Sequence, residues 1–416
     1  MTRTRENRAR ESQYEGVMQR PRRKPDIRQR EESPAVQSEI RYVGSPDIVI
    51  FGVVAALVLF GVIMIGSASS AMAALRFDDP HRFVRGTVLF AAIGFGVMWF
   101  LARFSYELIR PLAPWGYFVA LGLLVAVIVI GFAAGGAQRW VTLPVIGNFQ
   151  PSELARPALI FMLAFMIERY PKMTRTWTGI IFLGGIAAIM AGLIAAPGGL
   201  SVAIIVAAIG VAMVAVASPK FWSLVLVGGV GGGGLIGAYL AFQYFFGDGW
   251  RGGRFGAWLN PWSDHLGRGF QTIQSLFAIA SGGWFGLSLG GSRQASFVPE
   301  PHNDIIFAIV IEELGFFGAF IILLLFGILV WRGILVAMNA PDTFSSMTAF
   351  GIVFAIGIQT IINVAVVTNS IPNTGVNLPF ISYGGTSLVV SMAMIGVLLN
   401  ISRYSVYKKG LRKRTV

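Results

Sequence analysis

The sequence predicts an all-α polytopic membrane protein with about ten transmembrane helices and a large outer loop between helices seven and eight. Three observations predict it. Hydrophobic residues make up 55% of the chain and charged residues 13%, and a mean hydropathy of +0.68 is far from that of a soluble domain. Apolar runs of about 20 residues, the length that crosses a bilayer, recur along the sequence. Basic residues gather at the chain ends and in the short loops between those runs, which is the pattern of topology signals.

Residues 1–44 carry Arg3, Arg5, Arg8, Arg10, Arg22, Arg23 and Lys24 among polar neighbours with no apolar stripe, and read as a disordered basic cytoplasmic tail. The apolar run that starts near Pro46 is long enough to span, so it reads as a helix of the mature protein rather than a cleavable signal peptide. Spans are expected at about 46–68, 83–102, 112–134, 152–168, 177–196, 199–217, 220–246, 303–331, 344–370 and 381–402. They form a membrane domain over 45–403, followed by a second basic cytoplasmic tail at 404–416. The sequence Ala196-Pro197-Gly198-Gly199 turns the fifth span into the sixth, because Pro and Gly end helices. In the seventh, GGVGGGG from Gly228 to Gly234 suits close packing through small residues.

An even number of spans puts both termini on one side, and charge selects the side. With the tails inside, 24 of the 33 lysines and arginines are cytoplasmic, eight lie at or beyond the outer ends and Arg156 lies within a span. Both termini are therefore expected in the cytoplasm.

The outer loop, 247–303, is long enough to expect a function. Its Trp250, Trp258, Trp262 and Trp284, with Phe270, Phe277 and Phe285, suit an ordered loop on the membrane surface. Within it, FQTIQSLFAIASGGWFG spaces its apolar residues as an interfacial helix would. Two further outer segments, 134–154 and 369–387, are polar and rich in Pro and Gly. Three such segments can converge on one cavity at the outer leaflet.

Several functions are excluded by composition. The formal charge of +13 resides in tails and loops rather than on one binding face, which argues against nucleic acid. Without cysteine there is no disulfide, thiolate metal site or cysteine nucleophile. His81, His265 and His302 are too scattered for a histidine metal cage. Against this background VPEPHNDIIFAIVIEELG, residues 298–315, stands out, because it places Asp304, Glu312 and Glu313 at or inside the start of an apolar run. An ionisable group at membrane depth costs at least ~2.5 kcal/mol and marks function by default. Asp304, where an outer loop meets a helix, reads equally as a helix cap or as a base facing water. Glu312 and Glu313 lie about two turns, ~12 Å, deeper, and suit a buried ion pair or hydrogen-bonded network that locks helices together. Glu153 and Arg156, three apart on the fourth span, suit an intrahelical pair, although Arg156 can alternatively meet a substrate phosphate. Of the outer arginines, Arg251, Arg254 and Arg268 read mainly as lipid-headgroup or partner contacts.

Five segments carry a specific resemblance: SPDIVIFGVVAALVLFGVIMIGSASS, GAQRWVTLPVIGNFQPSELARP, LNPWSDHLGRGFQTIQSLFAIASGGWFGLSLGGSRQ, VPEPHNDIIFAIVIEELGFFG and IPNTGVNLPFISYGGTSLV. In this order they resemble the SEDS family (shape, elongation, division and sporulation), the group of FtsW, RodA and SpoVE, over about residues 45–403. The long basic tail and MIGSASS resemble the division or sporulation branch more than the elongation branch.

The resemblance implies a peptidoglycan glycosyltransferase that polymerises lipid II at the outer face of the bacterial cytoplasmic membrane and releases undecaprenyl pyrophosphate. It implies a class B penicillin-binding protein as partner, with membrane lipids and other division or sporulation proteins around it. A flippase for lipid-linked precursor, or a non-catalytic scaffold for that penicillin-binding protein, are the alternatives. The family's essential aspartate corresponds to Asp304, and Arg139, Gln150, Arg293, His302 and Asn303 are expected to meet substrate. Glu153, Arg156, Glu312 and Glu313 are expected as structural ion pairs. A divalent cation, Mg or Mn, held jointly with the substrate pyrophosphate, is also implied, with no protein ligand assigned. The chain departs from the family in having APGGL in place of QPDLG after the fifth span, QPSELAR for QPSELAK, HNDIIF for HTDFIF and SRQA for SRQK. None of these removes Asp304.

Overall fold

The computed structural model describes residues 44–134, 137–143, 147–219, 256–267 and 269–404. The expected seventh span with its glycine run, Arg251, Arg254 and Arg268, and nearly all of both tails lie outside the described residues. Among the described residues there are nine long helices: α1 (Ile48–Phe77), α2 (Arg82–Arg103), α3 (Ile109–Ile130), α4 (Pro151–Arg169), α5 (Trp177–Ala195), α6 (Leu200–Ala217), α8 (Ile306–Met338), α9 (Thr343–Val367) and α10 (Gly385–Ser402). A shorter helix, α7 (Phe270–Gly282), precedes α8. Eight of the long helices are apolar enough to cross a membrane. The exception is α4, which carries Glu153, Arg156, Glu168 and Arg169; it is buried along most of its length, and Glu153 and Arg156 face protein.

Local chemistry sets the helix ends. Asp47 caps α1 by accepting the N–H groups of Val49 and Ile50. Pro151 opens α4 at a position that needs no N–H. Asp342 and Ser345 form a reciprocal capping box at α9. The expected turn between α5 and α6 is present, with Gly198 at φ 98°.

One structure was absent from the expectation. Between α3 and α4 the chain forms a three-stranded antiparallel sheet, β1 (Phe132–Ala134), β2 (Ala137–Leu143) and β3 (Gly147–Phe149), with Phe132 opposite Trp140 and Thr142 opposite Asn148. Pairing of AQRWVTL with both neighbours satisfies backbone groups that would otherwise lack partners.

At one end of the bundle the start of α1 meets the end of α10: the Gly44 N–H donates to Arg403 O at 2.8 Å and the Asp47 N–H to Ser402 Oγ at 3.0 Å. Arg332 of α8 pairs with Asp47 at the same end. Nearby, the buried Tyr106 donates its hydroxyl to Asp342 at 2.7 Å, while Arg110 pairs with both Glu168 and Asp342. Burial opposes the charge of Asp342, but Ser345, Tyr106 and Arg110 outweigh it and hold the carboxyl below its ordinary range. Asp304 stands beyond the first residue of α8, about 39 Å along a helix of this rise from Arg332, and so at the opposite end.

Candidate active site at the start of α8

The helical residues of α8 begin at Ile306, and the cap position is Ile305, which makes no side-chain capping bond. The capping role read for Asp304 is therefore corrected. Its side chain turns instead to α7, where Gln271 Nε2 donates to Asp304 Oδ1 at 2.9 Å. Gln271 is itself held, because Asn373 Nδ2 donates to Gln271 Oε1 at 3.0 Å and the Gly375 N–H donates to Asn373 Oδ1 at 3.2 Å. The main chain of Asp304 is fixed separately. Asn363 of α9, fully buried, donates its amide to the carbonyls of Asp304 and Val376, each at 2.7 Å. Asp304 is left half-buried at a junction of α7, α9 and residues 368–384.

Two of the three expected outer segments meet directly here. Trp258 Nε1 donates to Asn369 O at 3.0 Å, joining the large loop to the segment before α10. The third is joined through α4: Arg156 is buried between Glu153 and Gln359, and Gln359 Nε2 donates to Asn377 O at 2.8 Å. Glu153 and Arg156 thus form an ion pair, and the pair ties α4 to α9 and to the outer segment rather than standing alone on its helix. Among the described residues these segments meet in a hydrogen-bonded cluster. A cavity of about 310 Å³ lies against Ala71, Met72, Leu75, Arg76 and Ser296.

The other expected site residues fall in different settings. His302 is 2% exposed, with Phe83 4.2 Å and Tyr383 5.2 Å from its ring centroid. Burial pushes its pKa down to about 4, so the ring is neutral. It packs within an aromatic cluster. Asn303 donates to Glu300 at 2.7 Å. Arg293 is exposed, with its backbone N–H held by Glu312. Gln150 precedes α4 at its cap position without a side-chain capping bond, and Arg139 lies on β2.

Of the two readings for Glu312 and Glu313, the hydrogen-bonded network is the one seen, since neither pairs with a cation among the described residues. Glu312 accepts from the backbone N–H groups of Arg293 at 3.0 Å and Gln294 at 3.4 Å and from the hydroxyls of Ser281 and Ser292. Glu313 accepts from Ser67 Oγ of α1 at 2.7 Å. Just beyond them α8 breaks at Gly315, with φ 69° and ψ −169°. Across the break the loop completes the helix ladder. Leu287 and Ser288 donate to the carbonyls of Glu312 and Glu313 at 2.9 and 3.0 Å, while Phe316 and Phe317 donate to Gly283 and Trp284 at 2.9 and 3.2 Å. Four backbone groups at the break, the carbonyls of Glu312 and Glu313 and the N–H groups of Phe316 and Phe317, find partners in this way, as non-helical backbone at membrane depth requires.

Sequence reasoning missed Gln271, Gln359, Asn363 and Asn373. The signal was present in GIQTIIN of α9, where Gln359 and Asn363 stand four apart, on one face of an otherwise apolar span.

With this geometry in place, three comparisons bear on identity. The cell cycle protein family of FtsW, RodA and SpoVE matches residues 47–407. Stage V sporulation protein E of Bacillus subtilis (strain 168) is 40% identical over 369 residues, covering 87% of this chain and 98% of that protein. A probable peptidoglycan glycosyltransferase FtsW of Geobacter sp. (strain M18) is 38% identical over 370 residues, with 87% and 98% covered. Among solved structures, a chain from a study of how a peptidoglycan synthase complex coordinates polymerization and crosslinking superposes with a TM-score of 0.71 at 28% identity, over 86% of this chain and 98% of that one. The rod shape determining protein RodA of Thermus thermophilus gives a TM-score of 0.63 at 25% identity, over 86% and 97%.

Proposed function

Because the chain belongs to the FtsW, RodA and SpoVE family of cell cycle proteins, we propose that it is a peptidoglycan glycosyltransferase of division or sporulation that polymerises lipid II at the outer face of the cytoplasmic membrane. The observation that carries this reading is the carboxylate of Asp304, half-buried at one end of the bundle and oriented by Gln271 rather than used as a helix cap.

Asp304 is the general base. It takes the proton from the carbon-4 hydroxyl of the acceptor GlcNAc as that oxygen bonds to carbon 1 of the donor MurNAc, and the bond from carbon 1 to the pyrophosphate breaks to release undecaprenyl pyrophosphate. Base assistance of this kind contributes about 10²–10⁴ in rate. Exposed Arg293, its backbone anchored by Glu312, offers a planar cation to the departing phosphate, and Arg139 and Gln150 serve the same substrate from the loop before α4. A divalent cation would be held jointly with the substrate pyrophosphate, as Mg commonly is, and would offset the charge of the departing group. The polypeptide starts and ends in the cytoplasm, and a class B penicillin-binding protein crosslinks the product beside it.

The test is polymerisation of labelled lipid II by the purified protein with its penicillin-binding partner. Asp304→Ala and Asp304→Asn should yield no glycan strands while folding normally. Strands from either variant would overturn the role of Asp304, and rescue of a depletion strain by Asp304→Ala would favour a scaffold.

A further inference from the structure

Asp304 receives its hydrogen bond from a chain of amides whose direction is forced from the far end. A backbone N–H can only donate, so the Gly375 N–H makes Asn373 Oδ1 an acceptor. That choice turns the Asn373 NH₂ toward Gln271, makes Gln271 Oε1 an acceptor, and turns the Gln271 NH₂ toward Asp304 Oδ1. Amide oxygens and nitrogens are otherwise interchangeable by shape, and here one backbone group removes the ambiguity from two side chains. The chain also closes on itself in space, since a Cβ built on Gly375 would lie 3.8 Å from Asp304 Oδ2.

We propose that Asn373 and Gln271 are positioning residues, a one-directional relay from the Gly375 N–H that presents a fixed donor to Asp304 and keeps its carboxylate aimed and ionised. The proposal rests on the reading of Asp304 as base. A donor to a carboxylate favours the charged form, and a base must be charged to take a proton. Losing the donor therefore raises the pH at which Asp304 becomes competent, and the acid limb of the rate profile moves up. Among the described residues, α7, α9 and residues 368–384 contain no Asp, Glu, Lys or Arg, and their one titratable group is Tyr383. On the segment of Asp304 itself, Glu300 lies beside Asn303 and His302 is buried and neutral.

The experiment measures kcat and KM for labelled lipid II across pH with the full chain and its penicillin-binding partner. Asn373→Leu removes both the acceptor for the Gly375 N–H and the donor to Gln271 without adding a charge, so nothing fixes which end of the Gln271 amide faces Asp304. Gln271→Leu removes the donor outright. Both should lower kcat and move the acid limb up, by about one pH unit for Gln271→Leu, with KM within about twofold, and the double variant should move it no further than Gln271→Leu alone, because both act through one bond. A residue that merely ties loops together lowers the yield of folded protein without moving the limb. An unmoved limb in folded Asn373→Leu, or shifts that add in the double variant, would overturn the relay. Should Gln271→Leu fail to fold, Asn373→Leu and Asn373→Ser carry the test. If Asp304→Asn is inactive while the limb stays fixed, the base survives and the relay falls; if Asp304→Asn is active, the reading beneath both falls.

Discussion

Gly315 lies directly against the backbone of Trp284: a Cβ built on Gly315 would come 2.4 Å from the Trp284 carbonyl. Its φ of 69° is also one that side chains rarely adopt. Gly315→Ala should therefore cost about 3 kcal/mol by strain and clash together. Thermal unfolding in detergent, followed by size-exclusion chromatography, checks this, and a melting temperature equal to the parent's would contradict the splice between loop and helix.

Glu312 gathers two backbone N–H groups and two hydroxyls from the loop. In Glu312→Gln one oxygen becomes an NH₂ that faces donors, leaving buried groups unpaired at about 1–3 kcal/mol. The loop around Arg293 should then open. Limited trypsin digestion should cleave after Arg293 faster in the variant, while a matching rate would show that the carboxylate is not what holds the turn.

Asn363 bridges the carbonyls of Asp304 and Val376 from a fully buried position. Asn363→Leu has similar bulk and neither donor, so both carbonyls lose their bond and Asp304 can drift. A displacement near 1 Å is enough to lower kcat by about 100-fold. Kinetics on variant protein whose melting has been measured will show whether kcat falls further than the loss of folded protein accounts for.

His302 yields a pH dependence. Its pKa falls from 6.5 unfolded to about 4 in the fold because burial disfavours the imidazolium. Between these values the unfolded chain binds more protons, so this group's contribution to stability is full above pH 6.5 and is lost as the pH falls toward 4. His302→Phe should flatten the melting profile over that window and leave KM for lipid II within about twofold, since the ring packs against Phe83 and Tyr383 rather than substrate. A large rise in KM would restore the binding role.

How far the sequence was legible depends on the kind of signal. Spans were readable because each is a local apolar run of fixed length, and Asp304 stood out as an acid at the edge of one. The partners of Asp304 were not readable in the same way. Gln271, Asn363 and Asn373 come from three separate stretches, and only folding brings them together. For Glu312 and Glu313 the sequence left an ion pair and a hydrogen-bonded network open, because the donors that decide between them, the turn at Ser292–Gln294 and Ser67, come from other stretches of the chain. The strands at 132–149 were overlooked because two of the three strands have only three residues each, too short for periodicity to register.

The splice at Gly315 also has a consequence for how the protein is made. Residues 283–288 leave the ribosome before Gly315, and they carry the groups that α8 needs to complete its ladder. If α8 entered the bilayer ahead of them, four backbone groups would sit in hydrocarbon without partners, at several kcal/mol each. The loop must therefore be in reach when α8 packs, so the order of synthesis, which delivers residues 283–288 first, suits the hydrogen bonds of the finished protein.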